Sequence, residues 1–186
     1  KNVVRTSLIG MGYYNTVTPP VIARNVLENP AWYTSYTPYQ PEISQGRLEA
    51  LLNFQTMITE ITGFDIANAS LLDEATAAAE AMTIALRSSK SDSKVFAVDI
   101  DTHPQIISVL RTRALPIGLT ISVVSLNEMM TTSCFGALIS WPGSSGSIAS
   151  AEQIKNICHA VHSQAGLTIA VCDLLACMLL TPPATL

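Results

Sequence analysis

The chain has 186 residues, of which 48% are hydrophobic and only 13% charged, with a formal net charge of −4. That composition is too apolar for a disordered chain, and a pI near 5.2 leaves no basic footprint for nucleic acid. The most apolar stretch, Leu167–Leu180, is broken by Thr168 and Asp173, so no segment reaches the roughly 18 apolar residues that a membrane helix needs. A mean hydropathy of +0.35 predicts apolar surface that another chain or segment covers. The sequence opens at Lys1 with no methionine, signal or transit pattern, and reads as a piece of something longer.

In chain order, Gly10-Met11-Gly12-Tyr13-Tyr14 carries two glycines of a dinucleotide fingerprint but lacks the third, and reads instead as a loop bearing aromatic hydroxyls. Pro19-Pro20 starts a short helix over Val21–Leu27, since proline suits a first turn, and Asn29-Pro30 ends it. Trp32–Glu42, with four aromatics and two prolines, reads as an extended, irregular segment that serves either as a core plug or as a binding loop. Ser44 then caps a helix with Leu51, Phe54, Ile58 and Ile61 on its apolar face and Gly63 as its stop. The segment Asn68–Met82 puts Asp73 before an alanine-rich run, which predicts an N-capped helix over Thr76–Leu86.

Strand-like and helix-like segments alternate beyond that point. Val95–Ile100, Leu119–Ser125, Phe135–Trp141 and Leu167–Val171 read as strands, Pro104–Arg113 and Ser150–Gln164 as helices, the latter opening on a Ser150–Gln153 capping box. Such alternation implies an α/β fold with a mainly parallel sheet.

Several side chains invite chemistry. Asp99, Asp101 and His103 fall just past a strand's C-terminal end, where ligands collect in open α/β sheets; equally, the aspartates could cap the next helix. A helix start such as Asp73-Glu74 is by geometry an anion cradle, yet its two carboxylates would repel a phosphate. Asp173 ends an apolar strand, where a carboxylate must find a partner or cap the chain that follows. Cys158, His159 and His162 share a helix, but no second ligand segment supports a zinc site, and no metal is expected. The four cysteines show no CxxC pairing and read as free thiols. The Trp141–Gly146 turn lacks a Walker lysine, and none of Lys1, Lys90, Lys94 and Lys155 is placed as a Schiff-base nucleophile.

Three stretches, GMGYYN (Gly10–Asn15), ENPAWYTSYTPYQPEISQGRLEALLNFQ (Glu28–Gln55) and NASLLDEATAAAEAM (Asn68–Met82), closely resemble the glycine dehydrogenase (decarboxylating) family, the P-protein of the glycine cleavage system. The likeness spans the chain and returns at Asp173-Leu174-Leu175-Ala176. It implies the front part of an amino-terminal half: a single partial domain of the type I PLP-transferase fold, residues 64–186, preceded by a helical and looped arm, residues 1–63. It also implies pyridoxal phosphate bound covalently by a missing carboxy-terminal half, decarboxylation of glycine, and transfer of the aminomethyl group to the lipoyl arm of H-protein. A dimer in the bacterial cytoplasm or the mitochondrial matrix goes with that expectation. Against the family's fold, Asp73 and Glu74, His103 and Asp173 occupy cofactor-like positions as inherited geometry, without a catalytic lysine. Tyr13, Tyr14, Tyr36 and Tyr39, supported by Glu42 and Gln45, are the expected contacts to substrate at the interface between halves. Two other functions remain open: an independent aminotransferase-like PLP enzyme, and a non-catalytic interaction module.

Overall fold

A computed structural model describes residues 3–32, 40, 42 and 45–186. Two compact units are present, one of residues 1–58 with 66–69, the other of residues 59–65 with 70–186.

In the first unit, α1 (Pro20–Ile22) starts on its proline and continues directly into a π-helical turn, Ala23–Leu27. The helix expected here therefore forms, but wider than an α-helix after its first turn. Pro30–Trp32 is a 3₁₀ turn; most of the Trp32–Glu42 segment expected to be extended, and Ser44 as the expected cap of the next helix, lie outside the described residues. Helix α2 (Gln45–Thr62) carries Arg47, whose guanidinium lies 5.7 Å from the Trp32 ring centre and donates to the carbonyl of Ala31. The last residues of α2, from Thr59, and Gly63 belong to the second unit, and Gly63 has a φ of +78°, the left-handed conformation that ends a helix.

The second unit holds the sheet. Helix α3 (Glu74–Ser88) leads to β1 (Val95–Asp99), α4 (Pro104–Ala114), β2 (Thr120–Val124), α5 (Leu126–Met129), β3 (Gly136–Trp141), α6 (Ala151–Ser163), β4 (Leu167–Cys172) and α7 (Leu174–Leu179). All three strand pairs are parallel, in the order β2-β1-β3-β4. Alternation along the strands divides the core. Phe96, Val98 and Leu138 point to one face and meet Ala78, Ala79, Met82 and Ala85 of α3 with Ile106 and Leu110 of α4. Ala97, Ala137 and Ile139 point to the other and meet Met129, Ile154, Ile157 and Val161. The alanine face of α3 lets that helix sit close to the sheet. A Cβ on Gly136 would come within 3.1 Å of Ala85 and 3.0 Å of the Phe96 ring.

Two short helices, α5 and α7, were not legible as elements. The capping box also lies elsewhere than expected. Ser150 does accept the Gln153 N–H, but the Gln153 side chain reaches Asn127 instead of returning to its cap. The reciprocal box belongs to Ser125 and Glu128 at the start of α5.

Candidate functional site

The C-terminal edge of the sheet collects the chemistry-bearing side chains of the second unit, because β1, β3 and β4 are parallel neighbours and end on the same side. At the β1 exit, Asp99 is only 3% exposed and its Oδ1 accepts the N–H of Asp101 at 3.0 Å. Burial pushes the Asp99 carboxyl above its ordinary value, outweighing that hydrogen bond, and the neighbouring Asp101 charge adds to the rise.

Asp101 turns away from α4 and grips the loop after β3. Its carboxylate accepts the Ser145 N–H at 3.0 Å and the Ser145 hydroxyl at 2.6 Å, while its carbonyl accepts the Ser144 N–H at 2.7 Å. A Cβ on Gly143 would stand 2.0 Å from the Asp101 Oδ2, so only glycine leaves room for this grip. Ser144 Oγ in turn lies 2.8 Å from His103 Nδ1, and beneath it the buried Ser140 hydroxyl donates to Thr102 at 2.9 Å. The expectation that Asp99 and Asp101 cap the next helix is therefore corrected. His103 occupies the N-cap position of α4 without a side-chain bond to it, and Pro104 at the first helical position has no N–H to satisfy.

Asp173 and Asp73 do cap. Asp173 Oδ1 accepts the Leu175 N–H at 2.6 Å at the start of α7. Asp73 accepts the Thr76 N–H at 2.7 Å, and its hydrogen bonds with Thr76 hold the carboxyl below its usual range. Cys172 shows that these ends are neighbours. Its thiol is pushed up to about 12, first by burial, then by contact with Cys177 and by the charges of Asp173 and Glu74. All four cysteines are free.

The remaining candidates lie elsewhere. Tyr13 closes a turn by donating its N–H to the Gly10 carbonyl at 3.0 Å, and both Tyr13 and Tyr14 have exposed rings. Glu42 is exposed and Gln45 opens α2, in the first unit; Tyr36 and Tyr39 lie outside the described residues. Lys155, Cys158, His159 and His162 line one cavity between α6 and β4, and among the described residues no three potential ligands gather as a metal set. Sequence reasoning missed Gly143, Ser144 and Ser145 as partners of Asp101. Their pairing spans more than forty residues, and the only local signal was a glycine-serine turn directly after a strand.

This edge does not fit a cofactor held through a lysine. Lys90 and Lys94 precede β1, at the opposite end of the strands. The carboxylates of Asp73 and Glu74 stand where an anion would need N–H groups and positive charge. Asp73, His103 and Asp173 each already engage a partner within the chain.

The family model described as glycine cleavage system P-protein matches residues 1–186. The chain belongs to that P-protein family. It is 57% identical to a glycine dehydrogenase (decarboxylating) of Gluconobacter oxydans over all of its own length, and 57% identical to that of Roseobacter denitrificans. In both cases it spans only 19% of the relative's length. A crystal structure of glycine decarboxylase (P-protein) of the glycine cleavage system, in inhibitor-bound form, superposes with a TM-score of 0.79 at 32% identity. That match covers 94% of this chain and 40% of the solved one, so the α/β architecture of the second unit is the family's own. Among the described residues no helix is long and apolar enough to cross a membrane.

Proposed function

We propose that these 186 residues form scaffold, interface and active-site wall of a glycine decarboxylase that passes the aminomethyl group of glycine to the lipoyl arm of H-protein. The observation that carries this reading is the P-protein family match over the entire chain. Pyridoxal phosphate, which supplies the electron sink for such a decarboxylation, is bound in this reading by a lysine outside the chain. The self-satisfied carboxylates and imidazole at the sheet edge support that assignment. In this reading they are a closed counterpart of a cofactor site, each already bonded within the chain.

In the same reading the tyrosines of the first unit complete the substrate site against a carboxy-terminal half or partner subunit. A tyrosine hydroxyl can donate to the carboxylate of glycine and can orient it without carrying a charge of its own. Tyr13, Tyr14, Tyr36 and Tyr39 take that part, with Glu42 and Gln45 as supports. The exposure of the Tyr13 and Tyr14 rings leaves both accessible to such a partner. An independent aminotransferase-like enzyme is disfavoured by the misfit at the sheet edge.

The test uses the full-length protein. Tyr14→Phe and Tyr39→Phe should each lower turnover by roughly tenfold or more, the loss of about one hydrogen bond made in the transition state, with an unchanged melting temperature. Unchanged turnover in both variants refutes the contact role. Carbon dioxide released from glycine by the isolated 186 residues with added pyridoxal phosphate would refute the division of labour itself.

A further inference from the structure

We infer that Cys172 and Cys177 are a dithiol site that closes to an intrachain disulfide on reaction with a small-molecule disulfide of the glutathione class. Cys172 is the last residue of β4, and Cys177 follows it within α7. The turn between them is fixed at Asp173, whose Oδ1 accepts the Leu175 N–H at 2.6 Å and whose carbonyl accepts the Cys177 N–H at 3.1 Å. That turn brings the chain back on itself, and the two thiols meet in a hydrogen bond. Cys172 is half-buried while Cys177 is only 4% exposed, so a reagent from solvent reaches Cys172 first.

The surroundings select this chemistry over metal binding. A soft metal ion would hold both sulfurs as thiolates, and burial together with the charges of Asp173 and Glu74 opposes the Cys172 thiolate. Among the described residues no three potential ligands gather to offset that cost. A disulfide carries no charge and escapes the penalty. The Cys172 thiol gives its proton to water and its sulfur attacks the small disulfide, which forms a mixed disulfide and releases one small thiol. The Cys177 sulfur, losing its own proton, then attacks the Cys172 sulfur; the S–S bond within the chain forms and the second small thiol leaves. Two cysteine thiols are oxidised and one small disulfide is reduced to two thiols. The opposed thiolate makes the first attack slow, whereas contact between the sulfurs makes the second one intramolecular and fast. The bond ties α7 to β4 across Asp173, and it rests on the placement of the thiols, not on the decarboxylase chemistry.

The test equilibrates the full-length protein with mixtures of reduced and oxidised glutathione, then alkylates it with iodoacetamide in urea and maps the cysteines by mass spectrometry. Cys172 and Cys177 should lose alkylation together and appear as one intrachain disulfide. Half-conversion should come at a ratio of oxidised to squared reduced glutathione about tenfold or more below that for a synthetic peptide of residues 167–180, because the fold holds the sulfurs in contact and the peptide does not. Equal midpoints for protein and peptide would overturn the inference. So would alkylation of both cysteines at every ratio, or a disulfide from either one to Cys134, Cys158 or another cysteine. Cys177→Ser removes the resolving sulfur and should trap glutathione on Cys172, whereas Cys172→Ser should leave Cys177 unmodified. A mixed disulfide on Cys177 alone would overturn the assigned order of attack.

Discussion

Val4, Leu8 and Val17 of the first unit are 93%, 90% and 95% exposed, whereas Phe96, Val98 and Leu138 of the second are fully buried. Side chains of the same type thus meet opposite fates in one chain. In the sheet, alternation gives each apolar residue a facing helix, α3 and α4 on one side, α5 and α6 on the other. Between residues 3 and 19 the described backbone contains one isolated bridge, Gly10 to Tyr13, and no helix or strand that could stack against another. An apolar segment without a facing layer gains nothing from its composition until something else covers it. Exposed apolar side chains also occur outside this segment, on α7 at Leu175, Met178 and Leu179 and at single positions such as Ile66, Leu72 and Leu115.

The strongest challenge to this contrast is Phe96→Ala. The ring is fully buried and lies 5.5 Å from that of Phe135, so its loss should cost roughly 3–5 kcal/mol, read as a lowered midpoint in urea unfolding. A cost below about 1 kcal/mol would mean that the sheet is not the stable part of the molecule.

Next in size is Gly143→Ala. Overpacking of this kind costs typically about 1–3 kcal/mol, and here the added carbon would displace the Asp101 carboxylate from Ser145. The pair is testable as a cycle. In an Asp101→Ala background the same Gly143→Ala change should cost clearly less, because the crowding carboxyl is gone. Strict additivity would dissolve the link between the two strand exits.

The strands and the longer helices of the second unit were legible because period and capping are local. Asp73 before an alanine run announces α3, and Val95–Asp99 sits one residue short of its expected end. What the sequence concealed is relational. Asp101 looks like a cap for the helix that begins at Pro104, yet it serves a loop forty-four residues away. The sequence leaves Asp173 between pocket and cap, and its bond to the Leu175 N–H makes it a cap. α5 and α7, of four and six residues, are too short to display a helical period and are held by Ser125 and Asp173 instead. In the first unit Pro19-Pro20 announces the helical turn that begins at Pro20, whereas the resemblance carried by the glycines and tyrosines names a family and specifies no further element.

A smaller effect concerns pH. Asp99 is raised by burial, so its proton is held more tightly in the folded state than in the unfolded one. Stability from this group is complete below the ordinary carboxylate value of 3.8 and is lost as pH rises through the higher folded value. Asp73 and Glu128 run the other way, their lowered values adding stability as pH rises, but they do so equally in a variant that leaves them intact. Asp99→Asn keeps an oxygen for the Asp101 N–H and cannot ionise, so it should gain on the parent protein as pH is raised from below the ordinary carboxylate value through the higher folded one. A stability difference that stays constant with pH would show that Asp99 ionises without penalty and that the sheet edge is wetter than its 3% exposure implies.

The smallest expected effect bears most directly on the contrast between the two units. Leu8→Ala in the isolated chain should leave stability within about 0.5 kcal/mol, as for surface substitutions in general, because a side chain 90% exposed has little burial to lose. In the full-length protein the same change should lower the melting temperature measurably, if the uncovered apolar side chains of the first unit meet a partner surface there. The size of that difference, rather than either value alone, measures how much burial the rest of the protein contributes. A null result in both would leave Leu8 exposed even in the complete molecule, and the excess hydropathy of this segment would need an occupant other than its own polypeptide.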